Sequence, residues 1–281
     1  MEFVKLQGSG NDFVVIDNRD RRVERLLDSL SLSVEEFVRK VCEPHRGVSA
    51  DGLILIEDPE DPENDFRWRF YNSDGSVAEM CGNGARCAVR FCYDMGIVGR
   101  EVRFETLAGV VRAEVMESGR RVRVQLPPPG EPEEKILPLE EGSVEGTFIN
   151  TGVPHFVVVV EDLGAVNVRE LGRRIRFHEE FRPAGTNVNF VARLDEGSVS
   201  IRTYERGVES ETLACGTGAT AAALVSHLKG LTLRKPVNVL TRSGEVLRID
   251  FSDDLREVFL EGPVCKVYEG FLSREIFRTS P

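Results

Sequence analysis

The 281-residue chain predicts an α/β protein, α+β in layout, built as two pseudo-symmetric domains. Each is expected to be a curved, mostly antiparallel sheet or barrel around one central helix, with the active site in the interdomain cleft. Three observations carry this. Cys81 in "MCGNGARC" and Cys215 in "ACGTGATA" each open the pattern C-G-x-G-A. Further segments recur around them in the same order in both halves. Between the halves lies "LPPPGEPEEKILPLEEG" (126–142), a Pro-, Gly- and Glu-rich stretch of linker character.

The repeat is read outward from the cysteines. The apolar runs behind them end at Gly96 and Gly230, each 15 residues on. Strand-like "VRFETLAG" (102–109) and "VNVLTRSG" (237–244) follow, each closing on a Thr-x-x-Gly turn, and then "RVRVQLP" (121–127) and "EVFLEGP" (257–263). Upstream, "GNDFVVI" (10–16) resembles "VPHFVVV" (153–159), and "ADGLI" (50–54) sits where "TNVNF" (186–190) sits. "WRFYNSDGS" (68–76) precedes one cysteine as "SIRTYERGV" (200–208) precedes the other. A half-chain period of this kind indicates a duplicated domain. The expected domains are 1–125, joined by the tail 265–281, and 126–264.

The element types follow from local pattern. "FRWRFYN" alternates Phe66, Trp68 and Phe70 with polar residues, the period of a half-buried strand. Ser33 and Glu36 form a capping box ahead of a helix with Val34, Phe37, Val38 and Val41 on one face. Asn167 and Glu170 repeat the device in the second half. "GATAAALVSHL" (218–228) is apolar almost all round, and "GARCAVRFCYDM" (84–95) is apolar at Ala85, Ala88, Val89 and Cys92. Such helices are buried ones, and each cysteine stands at the N-terminus of its helix.

Composition narrows the function. The net charge of −11, with no dense Lys/Arg block, disfavours nucleic acid and anionic membranes as partners. "MEFVKLQGSGNDF" has no leader pattern, and no apolar stretch approaches a membrane span. A cytoplasmic location is expected, with the six cysteines as thiols. Cys81, Cys87 and Cys92 lack metal-finger spacing, so no metal is expected. "GNGAR" and "GTGAT" lack the phosphate-loop lysine, and "GSGNDF" lacks the third glycine of a dinucleotide fingerprint.

A thiol at a helix N-terminus meets unpaired backbone N–H groups and the positive end of the helix dipole, so its pKa falls from ~8.5 towards neutrality. Gly82-Asn83 and Gly216-Thr217 read as cradles for an anion such as a carboxylate. One such cysteine alone would read as a small buried hydrophobe. Two, at matched positions of a duplicated chain, read as a pair that inverts a carbon centre: one thiolate removes a proton and the opposite thiol returns one to the other face. Contacts of about 3–3.5 Å on each face put the sulfurs about 7 Å apart over the carbon.

The motifs "GNDFVVID", "YNSDGS", "MCGNGARC", "TNVNF", "YERG" and "ETLACGTGAT" occur in an order that resembles the diaminopimelate epimerase family across nearly the whole chain. The resemblance implies a cofactor-independent isomerase interconverting LL- and meso-diaminopimelate for lysine and peptidoglycan precursors. It implies Cys81 and Cys215 as the two bases, with His155 and Glu205 adjusting their protonation. Gly82, Asn83, Gly216 and Thr217 would bind the reacting carboxylate. Asn11, Asn72, Asn187 and Glu205 would hold amino and carboxylate groups, and Arg206 would clamp the distal carboxylate. Val153 stands where many members carry a polar residue, so it is not counted as a ligand. The remaining thiols, Cys42, Cys87, Cys92 and Cys265, are read as packed or inert. The assemblies left open include a homodimer. The rival readings are a proline or hydroxyproline racemase, with similar paired Cys-Gly-x-Gly turns, and a thiol redox or ligand-binding protein. Against the redox protein stand the distant cysteines and the absence of C-x-x-C.

Overall fold

The computed structural model describes residues 1–140 and 142–277; Glu141, at the end of the expected linker, and 278–281, the end of the expected tail, lie outside the described residues. The chain forms two compact units, residues 1–124 with the chain from Pro263, and residues 125–262. The first runs β1 (Glu2–Gly8), β2 (Asn11–Asp17), α1 (Arg22–Leu30), α2 (Val34–Cys42), β3 (Gly52–Glu57), β4 (Phe66–Asn72), α3 (Gly82–Asp94), β5 (Glu101–Thr106), β6 (Gly109–Met116) and β7 (Arg121–Leu126). A tail strand, Cys265–Phe271, pairs antiparallel with β1, and Phe277 behind it stacks on Phe37 with ring centroids 5.1 Å apart. The second runs β8 (Glu133–Leu139), β9 (Gly142–Asn150), β10 (Pro154–Val159), α4 (Val168–Arg176), β11 (Asn187–Arg193), β12 (Ser198–Glu205), β13 (Ser210–Thr212), α5 (Gly216–Leu228), β14 (Val237–Leu240), β15 (Val246–Phe251) and β16 (Val258–Pro263).

The two units repeat one pairing order. In the first, β1–β2 is antiparallel, β2–β3 parallel, β3–β4 antiparallel, β4–β5 parallel and β5–β6 antiparallel. In the second, β9–β10, β10–β11, β11–β12, β12–β14 and β14–β15 follow the same sequence of senses. Antiparallel pairs predominate, as the sequence predicts. The parallel pairs fall where a helix carries the chain back to the same end of the sheet, which only a crossover connection can do.

Helices cover both faces of the sheet in each unit. β3 is buried at every position and β11 at all but Arg193, the mark of strands covered on both sides. On the outer face of the first unit, Val14, Ile16, Leu53, Leu55 and Tyr71 pack with Val23 of α1 and Phe37, Val38 and Val41 of α2. In the second, Phe156, Val158, Val188, Phe190 and Tyr204 pack under α4 through Val168 and Ile175. The Ser33–Glu36 capping box is present in full. Asn167 accepts the Glu170 N–H, but its own amide goes to the Glu170 carboxylate at 3.1 Å, so the second box is not reciprocal. α1 was not expected. It begins at Arg21 in a left-handed conformation with no side-chain cap, so its sequence carries no start signal.

The inner face holds the central helix. α3 and α5 are 13 residues each, and α5 touches β9, β10, β11, β12, β14 and β15. Gly84 and Gly218, one turn into these helices, show which residues face them. A methyl group at Gly84 would meet Ile54 Cδ1 at 3.5 Å and Phe13 Cε1 at 3.6 Å, whereas at Gly218 it would meet Asn189 Oδ1 at 2.5 Å. Together with the outer clusters, this makes Phe13, Ile54 and Phe70 the inner counterparts of His155, Asn189 and Thr203. The pairings agree: Phe13 lies opposite Gly52 and His155 opposite Asn187. The equal-length superposition of "GNDFVVI" on "VPHFVVV", and of "ADGLI" on "TNVNF", is therefore displaced by one residue. A one-residue slip exchanges the faces of a strand, and strands apolar on both faces give no alternation to reveal it.

Among the described residues, no helix is long and apolar enough to cross a membrane.

Candidate active site

Cys81 and Cys215 are the N-cap residues of α3 and α5, both with extended backbone. The Cys81 Sγ accepts the N–H of Gly84 at 3.5 Å, and the Cys215 Sγ that of Gly218 at 3.4 Å. Each sulfur thus takes the place usually filled by a Ser or Asp oxygen. Both cysteines are half-buried. The other thiols differ. Burial pushes the Cys42 thiol up to about 12 and raises Cys87 and Cys92 well above the ordinary thiol range, which makes all three inert. Cys265 is exposed in the tail strand and is not a packed thiol.

Around Cys81, the Asn83 amide donates to Asn11 Oδ1 at 2.6 Å, and Asn11 Nδ2 donates to Asp51 at 3.0 Å. Arg86, wholly buried in α3, donates to Asn83 Oδ1 at 2.9 Å and to Ser9 Oγ at 3.0 Å. Gly8 lies against this guanidinium, where a methyl group would meet Nη2 at 3.2 Å. Gly82 gives its carbonyl to Arg86 Nη1 at 3.4 Å. Asn72 ends β4, exposed, with its amide on Ser76 Oγ at 3.0 Å.

Around Cys215 the polar groups form a line. Thr217 Oγ1 lies 3.5 Å from Cys215 Sγ and 3.0 Å from His155 Nε2. His155 Nδ1 lies 3.0 Å from Asn189 Nδ2, and Thr203 Oγ1 donates to Asn189 Oδ1 at 3.0 Å. His155 is fully buried, and desolvation, with the Arg206 charge second, lowers its pKa to about 3. Its imidazole is neutral at neutral pH, so one ring nitrogen donates and the other accepts. Thr151 Oγ1 braces the first turn of α5 by donating to the Thr217 carbonyl at 2.9 Å, and Thr220 Oγ1 donates to the Gly216 carbonyl at 3.0 Å.

Asn187 spends both ends of its amide on the protein: Nδ2 donates to the Pro154 carbonyl at 3.0 Å and Oδ1 accepts the Arg206 N–H at 2.8 Å. It therefore anchors the turn after β12. Glu205 ends β12, and Arg206 follows it, half-buried, with Nη1 on the Ala184 carbonyl at 3.3 Å. The first unit thus gathers Asn11, Gly82 and Asn83 at the tip of α3 with Cys81. The second gathers His155 and Thr217 at the tip of α5 with Cys215, and Asn187 beside Arg206. Asn72 instead bonds Ser76, within its own turn after β4.

Asn189, Thr203, Asp51 and Arg86 were not singled out from the sequence. The signal for Asn189 was present in "TNVNF", two asparagines at period two on one strand face. Arg86 reads on a helical wheel as a solvent-facing charge, and nothing local marks it as buried.

A family model described as diaminopimelate epimerase matches residues 3–130 and 147–267. The Aquifex aeolicus (strain VF5) protein named diaminopimelate epimerase is 70% identical over 276 residues, covering 98% of this chain and 99% of its own. The protein of that name from Hydrogenobaculum sp. (strain Y04AAS1) is 53% identical over 280 residues, covering 99% and 100%. Among solved structures, a probable proline racemase from Agrobacterium radiobacter K84 shares the fold with a TM-score of 0.69 at 16% identity, over 97% of this chain and 93% of that one. A hydroxyproline epimerase from Agrobacterium vitis does so with a TM-score of 0.65 at 17% identity, over 96% and 91%. At such identities the likeness extends to the fold alone, whereas the sequence matches span both cysteine-capped helices. The chain belongs to the diaminopimelate epimerase family.

Proposed function

We propose that this protein interconverts LL- and meso-diaminopimelate in the cytoplasm, in lysine and peptidoglycan precursor synthesis, with Cys81 and Cys215 as the two proton carriers. The observation that carries the reading is the matched pair of half-buried thiols, each capping a buried helix. One sulfur, as thiolate, takes the α-proton: an S–H bond forms, the C–H bond breaks, and the electron pair stays on carbon. The other thiol gives its proton to the opposite face and becomes the thiolate. Amides of the two helix tips stabilise the negative charge that spreads onto the α-carboxylate. Asn83, held by Asn11 and Arg86, and Thr217, held by His155, line those tips. Asn72 and Glu205 are assigned to the substrate's amino groups. Asn187 acts by fixing Arg206, whose guanidinium takes the distal carboxylate.

The test is proton exchange in heavy water. Diaminopimelate incubated with the protein, without pyridoxal phosphate or added metal, gains deuterium at the α-carbon as it epimerises. Absence of label removes the reading. Arg206→Met separates it from the racemase alternative, whose small cyclic substrate has no distal carboxylate. Loss of a charge-assisted pair worth ~1.5–3 kcal/mol raises KM about 10- to 100-fold. A KM unmoved by that change favours the rival.

A homodimer belongs to the same proposal. The tail strand exposes Val267 (51%) at its bulge, Tyr268 (43%) on one face and Phe271 (75%) on the other, apolar groups that a second copy pairing along the strand would cover. Sedimentation is expected to give twice the chain mass, and Val267→Asp to return it to one chain. A wild-type protein that sediments as a monomer at micromolar concentration refutes this part alone.

A further inference from the structure

We propose that Asn189 is a positioning residue that sets the direction of the hydrogen-bond chain ending at Cys215, so that the Thr217 hydroxyl donates to the sulfur. The role rests on the two-thiol reading above. The argument starts from the duplication. The first unit fills three inner-face positions with Phe13, Ile54 and Phe70, at 2%, 0% and 5% exposure. The second fills the same positions with His155, Asn189 and Thr203, at 0%, 0% and 3%. The first unit shows that hydrocarbon packs this layer. Burying an amide, an imidazole and a hydroxyl there is costly unless each is hydrogen-bonded. All three are bonded, and in a single file that stops at a half-buried thiol.

The direction follows from donor and acceptor capacity. Thr203 gives its hydroxyl hydrogen to Asn189 Oδ1 at 3.0 Å. That turns the Asn189 NH2 toward His155 Nδ1, 3.0 Å away, which must then accept. A neutral imidazole whose Nδ1 accepts carries its proton on Nε2. Nε2–H donates to Thr217 Oγ1 at 3.0 Å, and the one hydrogen of Thr217 is left for the sulfur at 3.5 Å. A donor aimed at the sulfur favours thiolate over thiol. Reversing the amide reverses every bond: Nδ1–H would donate to Asn189 Oδ1, Thr217 would donate to Nε2, and the sulfur would lose the Thr217 donor while keeping the Gly218 N–H. Gly218 admits this arrangement, since any side chain there would collide with Asn189 Oδ1.

The test reads the His155 tautomer directly. Nitrogen-15 spectra of the intact protein are expected to show the proton on Nε2. In Asn189→Asp the new side chain can only accept from the ring in its ionised form, and the proton moves to Nδ1. With that shift kcat for epimerisation falls about 10- to 100-fold while KM stays within about twofold, as expected when an imidazole is held in the wrong tautomer. Thr203→Val, nearly isosteric, removes the hydroxyl that orients the amide and is expected to give a mixture of tautomers with an intermediate kcat. Thr203→Ser restores both. The proposal is overturned if Nδ1 carries the proton in the wild type. It is also overturned if kcat falls in either variant while the tautomer stays on Nε2, which a merely structural role would produce. Because the spectra need no substrate, they judge the chain even if diaminopimelate proves unlabelled in heavy water.

Discussion

Cys81→Ala and Cys215→Ala are each expected to abolish epimerisation in both directions, with kcat/KM lower by about 10²–10⁴-fold, the scale of a lost general acid or base. Each direction uses one sulfur as base and the other as acid, so neither variant spares a direction. The signature that separates proton transfer from simple damage is exchange without inversion. A protein with one thiol left can still remove and return the α-proton on the face that thiol meets. In heavy water one variant should label LL-diaminopimelate and the other the meso form, with no crossing between them. Stability changes little: loss of an N-cap contact costs ~1 kcal/mol, a few degrees of Tm in a chain of this size. An alanine variant that keeps a tenth or more of the epimerisation rate would refute the two-thiol reading.

Acidification is expected to destabilise the fold through His155. The imidazole is buried and its pKa is lowered to about 3, from 6.5 when exposed. Between these values the unfolded chain binds a proton that the folded chain refuses. Stability is therefore fully present above the unfolded pKa and lost as pH falls from about 6.5 towards 3. The unfolded state gains about 1.4 pH units of proton binding between pH 7 and pH 5, or about 2 kcal/mol. Carboxylates contribute little in that window. Urea midpoints taken from pH 7 to pH 5 should fall in the wild type and fall much less in His155→Gln, which has no titrating group. Equal slopes in the two proteins would mean that His155 protonates in place.

Much of this was legible because the relevant signals are local. Cys-Gly-x-Gly-Ala followed by an apolar run specifies a capped, buried helix whatever surrounds it, and both such helices start where the pattern places them. The Ser33–Glu36 box is a four-residue device and was readable for the same reason. Strand alignment between the halves was not readable. "FVVI" and "FVVV" are apolar on both faces, and only the packing of Phe13 against Gly84 shows which residues look inward.

By itself, the sequence determined the family, the duplication, and the placing of two thiols at the tips of two buried helices. These depend on residue identity and short spacing, which survive without coordinates. The tertiary structure alone decided that Asn189 and Thr203 stand behind His155, that Asn187 holds the chain at Arg206, and that Arg86 is buried against Ser9 and Asn83. Apart from Arg86 on Asn83, one turn away in the same helix, those contacts join residues 14 to 77 positions apart across strands and a helix. Which faces meet at such separations is fixed by register and packing, and neither is written in any one segment of the chain.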